Sequence, residues 1–104
     1  MSKYIYKIVP KGCEYEPKDI YIGSTKQPLS VRLSKHRHDY KRWKDGRYNY
    51  VSSFNLFDKY GINDCEIIEL EKCQEDITNT ELKKIERIYI QEYECVNILG
   101  KHSI

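Results

Sequence analysis

The chain has 104 residues, a formal net charge of +2 and four cysteines. A chain of this length builds one small core, so we expect a single domain over residues 1–104. The sequence has no apolar run long enough for a membrane span and no apolar stretch at its N-terminus, which predicts a cytoplasmic or nuclear protein that is not secreted. The cysteines lack Cys-x-x-Cys or zinc-site spacing, so we expect reduced thiols.

Charge is unevenly distributed along the chain. Residues 26–47 contain eight basic and two acidic residues, a net charge of +6. Residues 64–94 contain four basic and ten acidic residues, a net charge of −6. This polarity favours a nucleic-acid-binding face on one side of the domain. Two solvated helices of opposite sign would give the same pattern.

The first half of the chain predicts two strands and a helix. Residues 3–9 and 19–24 are rich in Tyr, Ile and Val, and we expect them to pair as antiparallel strands across a long loop. Pro28 suits the first turn of a helix, which the apolar spacing extends over residues 28–44 until Asp45-Gly46 ends it.

The second half predicts two further helices and one strand. Apolar residues at three-residue steps predict a helix over 50–60, and residues 65–70 predict a third strand. Thr78 and Glu81 fit a capping box that starts a helix running to about Tyr93. The order β-β-α-α-β-α predicts an α/β (α+β) fold, a three-stranded antiparallel sheet flanked by helices.

Glu86 is the most informative polar position on the last predicted helix. It falls within the apolar stripe formed by Leu82, Ile85 and Tyr89. A carboxylate that faces a core or cleft must be paired, protonated or bound to a cation, and Mg²⁺ often takes one protein carboxylate. The alternative is a glutamate at the edge of the stripe, paired with a surface Lys or Arg.

Four further side chains carry candidate chemistry. Arg32 and His36 lie one helical turn apart, and both should lean towards the sheet. An arginine there can hold a phosphate, and a histidine of near-neutral pKa can relay a proton. Tyr6 and Tyr21 lie on adjacent strands, where nearby cations would lower a phenol pKa towards that of a base. Each of the four could instead have a structural role. Arg32 could pair with a carboxylate, His36 could be a half-buried histidine whose hydrogen bonds are satisfied, and Tyr6 and Tyr21 could be ordinary strand tyrosines.

The ordered motifs resemble the GIY-YIG nuclease superfamily over about residues 4–99. The first motif is Tyr4-Ile5-Tyr6 and the second is Tyr21-Ile22-Gly23, followed by Arg32 and His36. Glu86 before Tyr89-Ile90 is similar to the family's metal-binding glutamate, and Asn97 to its late asparagine. The stretch 52–69 resembles the phage-type homing endonuclease branch.

The resemblance implies a DNA endonuclease that hydrolyses phosphodiesters with one metal ion. Tyr6 would be the general base or hold the attacking water, Tyr21 would assist it, and Arg32 and His36 would stabilise charge and aid proton transfer. Glu86 would hold Mg²⁺ or Mn²⁺, and Asn97 would support the site or contact phosphate. Independently of the resemblance, Gly23 should allow a close backbone approach at the end of its strand. Phosphate or DNA contacts are expected from a wider set of polar and basic residues: Gly23, Ser24, Lys35, Arg37, Lys41, Arg42, Lys44, Tyr48 and Asn97.

The chain departs from the family pattern at two positions. Tyr4 replaces the leading glycine of the first motif, and Tyr48 stands where the homing branch commonly has a histidine. An alternative is therefore a nucleic-acid-binding module of the same fold whose catalysis has lapsed, and a third is an interaction domain without a nucleic-acid partner. Sequence specificity would require a homodimer or a separate DNA-reading partner, and the family branch favours a viral or mobile-element origin.

Overall fold

The computed structural model of the protein describes residues 2–93 and 95–97. Its elements in chain order are β1 (Lys3–Pro10), β2 (Tyr21–Thr25), α1 (Leu29–Lys44), α2 (Phe54–Tyr60), β3 (Cys65–Cys73) and α3 (Asn79–Glu92). The prediction of a small α+β domain with a three-stranded antiparallel sheet is confirmed.

The sheet has β1 at its centre, in the order β2-β1-β3. The central position suits β1 because its apolar residues are buried on both faces of the sheet. Tyr6 pairs with Gly23 and Ile8 pairs with Tyr21. Since side chains two residues apart share a face, Tyr6 and Tyr21 lie on the same side of the sheet. Their ring centroids are 6.4 Å apart.

Helices cover both faces of the sheet and divide the core in two. The helix α3 packs on one face, where Leu82 and Ile90 meet Ile5 and Ile22. The helices α1 and α2 pack on the other face, with a core that includes Tyr6, Leu33, Phe54 and Phe57. Tyr6 on β1 therefore lies on the face of the sheet that α1, the helix with Arg32 and His36, covers.

Two predicted boundaries were wrong. The helix expected over residues 50–60 begins only at Phe54, because a turn in which the Phe54 N–H donates to the carbonyl of Val51 precedes it. The strand expected to end at residue 70 continues to Cys73, since β1 pairs with it as far as Lys3. Tertiary pairing extended this strand beyond its apolar centre.

The start of α3 agrees with its predicted capping box. The Thr78 Oγ1 accepts the N–H of Glu81 at 3.1 Å, and the Glu81 carboxylate accepts the N–H of Thr78. This cap fixes the register of the helix that carries Glu86. Within the described residues, no helix has the length and apolar character needed to cross a membrane.

Candidate functional site

The hydroxyl of Tyr6 is the centre of a buried hydrogen-bond network. Tyr6 is fully buried on β1. Its Oη accepts a hydrogen bond from Arg32 Nε at 3.1 Å and lies 2.8 Å from His36 Nε2. Arg32 and His36 are one turn apart on α1, so one helix face delivers both groups to the same oxygen. Their expected orientation towards the sheet is confirmed.

His36 is held at both ring nitrogens. Its Nδ1 lies 2.9 Å from Ser53 Oγ, and the side chain is buried. Burial and the nearby Arg32 lower the pKa of His36 to about 3. The imidazole is therefore neutral at physiological pH. A neutral ring that accepts the Tyr6 proton at Nε2 donates from Nδ1 to Ser53.

Two expectations about acidity were wrong. Burial raises the pKa of Tyr6 to about 12, although Arg32 opposes the shift. The pKa of His36 is not near neutrality. For Tyr6 the loss of hydration disfavours the phenolate more strongly than Arg32 favours it. For His36 burial and the positive charge of Arg32 both disfavour the imidazolium. Neither group by itself is a base or acid poised at pH 7.

Tyr21 differs from Tyr6 in the partners of its hydroxyl. Its ring centroid is 5.2 Å from that of His36. Burial, together with Tyr6 and Glu86, raises the pKa of Tyr21. No hydrogen bond to its Oη is found among the described residues. The Tyr6 hydroxyl, in contrast, contacts both Arg32 and His36.

Arg32 connects this network to the surface. Its Nε is used by Tyr6, and no partner of its two terminal nitrogens is found within the described chain. Arg32 also lines a surface hollow together with Ser24 and Lys83. A guanidinium anchored at Nε and open at its end is suited to hold a phosphate through two parallel hydrogen bonds.

Glu86 lies on the other side of β2, next to the end of that strand. Its side chain is 18% exposed, and Oε1 accepts hydrogen bonds from Ser24 Oγ at 2.5 Å and Lys83 Nζ at 3.2 Å. The ion pair with Lys83 matches the alternative reading of a stripe-edge glutamate. The pairing does not use Oε2, for which no donor is found among the described residues.

The donor set at Glu86 fits a hard divalent cation. Mg²⁺ keeps most of its waters and takes one or two protein carboxylates, and Mn²⁺ accepts similar oxygen ligands. The open Oε2 provides one such ligand, and the exposed Lys83 ammonium can move away. Among the described residues there is no group of three or more His, Cys, Asp or Glu that could hold a metal. Glu86 would therefore be the carboxylate of such a site.

Gly23 allows the Tyr6 ring to lie against the backbone of β2. A Cβ atom at this position would lie only 2.5 Å from Tyr6 Cζ. The expectation of a close approach at Gly23 is confirmed, and the approaching group is the Tyr6 ring. Whether Gly23 or Ser24 also contacts a phosphate stays a prediction.

No family model, curated protein or solved structure matches this chain. The chemistry of the site must therefore be argued from its own geometry. That geometry joins a buried phenol, a neutral histidine and an anchored guanidinium on one face of the sheet to a half-buried carboxylate at its edge. Such a combination can bind an anion, hold a cation and pass a proton.

Lys35 and Arg42 on α1 form a second cationic cluster together with Tyr48, which follows the helix. The buried Asp39 accepts a hydrogen bond from Lys35 at 3.0 Å and forms an ion pair with Arg42 at 3.7 Å. The Tyr48 ring lies 4.9 Å from the Arg42 guanidinium carbon and 5.9 Å from Lys35 Nζ. Asp39 and Tyr48 hold these two cations in place beside His36. Their predicted phosphate contacts remain untested.

Of the other basic residues on α1 that were expected to contact phosphate, some already have partners within the protein. Arg37 donates to the carbonyls of Ile62 and Cys65, which ties α1 to the start of β3. Lys44 pairs with Asp58 at 2.8 Å. Lys41 is exposed, and no ion pair of it is found in the part of the chain described. Lys41 is thus the most available of the three for a phosphate.

Asn97 supports the site through the backbone of β2. Its side chain accepts the N–H of Ile22 at 2.8 Å and donates to the Ile22 carbonyl at 2.7 Å. Ile22 lies between Tyr21 and Gly23, so these two hydrogen bonds hold the strand that carries both residues. The geometry favours the supporting role expected for Asn97 over a direct phosphate contact.

Sequence reasoning missed Ser53 and Asp39. Ser53 is fully buried at the start of α2 and meets His36 Nδ1, and Asp39 is buried on α1. A serine before a helix looks like an ordinary cap, which hid its role. Asp39 could have been found as the one acid within a basic helix, three and four residues from Arg42 and Lys35.

Proposed function

We propose that this protein is a metal-dependent DNA endonuclease of the GIY-YIG type that hydrolyses phosphodiester bonds. The observation that carries the proposal is the position of the Tyr6 hydroxyl between Arg32 Nε and His36 Nε2. An ordinary strand tyrosine needs one hydrogen-bond partner when buried. A phenol shared by a guanidinium and a neutral imidazole is instead part of a proton pathway beside an anion site.

Arg32 binds the phosphate that is cut. Arg32 lines the surface hollow, and its Nε is held by Tyr6. Negative charge grows on the phosphoryl oxygens as the nucleophile attacks. A fixed guanidinium at that point stabilises the transition state more than the ground state.

The proton of the attacking water leaves through Tyr6. The hydroxyl of Tyr21 orients the water next to Tyr6 Oη, while Arg32 keeps its Nε on Tyr6 and holds the phosphate with its terminal nitrogens. Tyr6 accepts the proton while its own proton passes to the neutral Nε2 of His36, and the imidazolium formed there is short-lived because burial disfavours its charge. Hydroxide forms the new P–O bond, and the leaving oxygen takes the electrons of the broken bond and a proton from solvent.

A bound divalent cation would neutralise phosphate charge and make the water more acidic. Glu86 would hold it through Oε2, and Ser24 fixes the carboxylate by donating to Oε1. The raised pKa of Tyr6 supports a role for such a cation. A buried phenol with that acidity cannot by itself remove a proton from water at a useful rate.

The second candidate is a DNA-binding module of the same fold that has lost catalysis. The complete burial of Tyr6 favours it, since a group that never meets water cannot activate it. Tyr4, the residue in place of the motif glycine, pairs with Thr25 at the same end of the sheet. This candidate binds DNA and shows no metal-dependent turnover.

The two candidates are separated by a plasmid-nicking assay with purified protein and Mg²⁺ or Mn²⁺. We expect the wild-type protein to nick supercoiled DNA and Glu86→Ala to lose nicking while keeping its circular dichroism spectrum. Glu92→Ala removes a carboxylate from the same helix and serves as the matched control. Nicking by Glu86→Ala at the wild-type rate would contradict the one-metal site. Binding without nicking by the wild type, on plasmid, flap and junction DNA alike, would favour the second candidate.

A further inference from the structure

A groove runs from the catalytic candidates along the N-terminal half of α3. It begins in a hollow of about 530 Å³ between the β2–α1 turn and α3. Its lining includes Ser24, Lys26, Arg32, Asn79 and Lys83. A second hollow shares Asn79 and Lys83 with the first and continues to Lys84 and Arg87. Because two lining residues are common to both, the hollows form one depression.

Every charged residue that lines this groove is a cation. Lys26 comes from the turn after β2, Arg32 from α1, and Lys83, Lys84 and Arg87 from α3. Lys26, Lys84 and Arg87 are exposed, and none has an ion pair within the described residues. Another hollow beside α3 is instead lined by Glu71, Asp76 and Glu81, with Lys72 as its one cation. The groove therefore attracts anions more strongly than that hollow does.

The net charge of the segment that contains α3 did not indicate this basic groove. Residues 64–94 carry a net charge of −6, so α3 looked acidic as a whole. Helical spacing brings Arg87 next to both Lys83 and Lys84, four and three residues away. Glu81 is used in the cap, and Glu86 offsets one cation of the groove by pairing with Lys83. Lys84 and Arg87 keep the net charge of this face positive.

We propose that this groove binds the phosphate backbone of the DNA strand on one side of the bond that is cut, an inference that rests on the proposed function. Arg32 lines the groove and also contacts Tyr6, so a strand lying in the groove leads directly to the reacting phosphate. From Asn79 to Arg87 the helix rises roughly 12 Å. That length matches about three nucleotides of a DNA strand.

The test compares two double variants of the full chain in DNA binding. Lys84→Gln/Arg87→Gln removes two groove cations that touch neither Glu86 nor the Tyr6 network. Lys11→Gln/Lys18→Gln removes the same charge at the opposite end of the sheet, where Pro10 pairs with Cys65. Fluorescence anisotropy with labelled duplex DNA, without divalent metal, gives the dissociation constant at several salt concentrations.

We expect the groove variant to bind DNA roughly tenfold more weakly and to lower the slope of log affinity against log salt by about 2. The control variant should match the wild type. Equal binding by the groove variant and the wild type, or an equal loss in both variants, would overturn the inference, as would a wild-type protein that binds no DNA. A wild type that binds DNA but does not nick, with weaker binding by the groove variant, would refute only the nuclease proposal.

Discussion

Tyr6 and Gly23 are paired across β1 and β2, and the Tyr6 ring lies so close to the glycine that no Cβ fits between them. The phenol can reach Arg32 and His36 from this position because Gly23 leaves the space free. A glycine in an edge strand, usually a weak point, thus fixes the orientation of the most connected side chain in the site.

Gly23→Ala should displace the Tyr6 hydroxyl. We expect it to destabilise the fold by about 1–3 kcal/mol through overpacking and to lower cleavage, since Oη would leave Arg32 and His36. Urea unfolding and single-turnover cleavage measure the two effects. Gly12→Asn is the control, because Gly12 has a positive φ of 74° that Asn tolerates and nothing within 4 Å of its Cβ position. Unchanged cleavage by Gly23→Ala would contradict the proposal that the space at Gly23 positions the Tyr6 hydroxyl.

Tyr6→Phe should separate the proton pathway from the packing of the ring. The variant keeps the buried ring but leaves Arg32 Nε and His36 Nε2 without their shared oxygen. We expect cleavage at saturating DNA to fall about 10²–10⁴-fold, the range of a lost proton-transfer group. Tyr40 lies on α1 and donates its hydroxyl hydrogen bond to Asp58 on α2. Tyr40→Phe removes that hydroxyl and should retain the wild-type rate. A similar rate for both variants would argue against a role for Tyr6 in proton transfer.

His36 should make the fold less stable as the pH falls below 6.5. Its pKa is about 3 in the folded chain and 6.5 when unperturbed, so the unfolded chain binds a proton first. The free energy of unfolding should therefore fall by up to about 1.4 kcal/mol per pH unit between those values. Urea titrations from pH 7.5 to 5.5 measure the slope above the range where most carboxylates titrate. His36→Gln cannot take up the proton and should give a flatter profile, whereas equal slopes would refute the burial of a neutral His36.

Thr78→Ala should destabilise α3 without altering the chemistry of the site. The change removes the acceptor of the Glu81 N–H. We expect the free energy of unfolding to fall by about 1 kcal/mol. Thr80→Ala, in the same turn but outside the capping box, should leave the free energy of unfolding unchanged. Cleavage per folded molecule should be equal in both variants and the wild type. A thermal melt with no difference between the two substitutions would show that the cap contributes little.

Local signals in the sequence predicted most of the elements, and their failures share a cause. The cap at Thr78 and the turn at Asp45-Gly46 agreed with the observed helix limits because each depends on neighbours in the chain. The start of α2 was missed by four residues, since the residues before Phe54 form a turn in spite of their apolar spacing. The end of β3 was missed because its pairing with Lys3 lies 70 positions away in the chain.

The sequence by itself determined the α+β arrangement and drew attention to Tyr6, Tyr21, Arg32, His36 and Glu86, because periodicity and residue type act locally. Only the tertiary structure decided their protonation and exposure. Burial raises the pKa of Tyr6 against the opposing effect of Arg32, and burial and Arg32 together lower the pKa of His36. Hydration depends on what packs around a group, and that is set by residues far away in the chain.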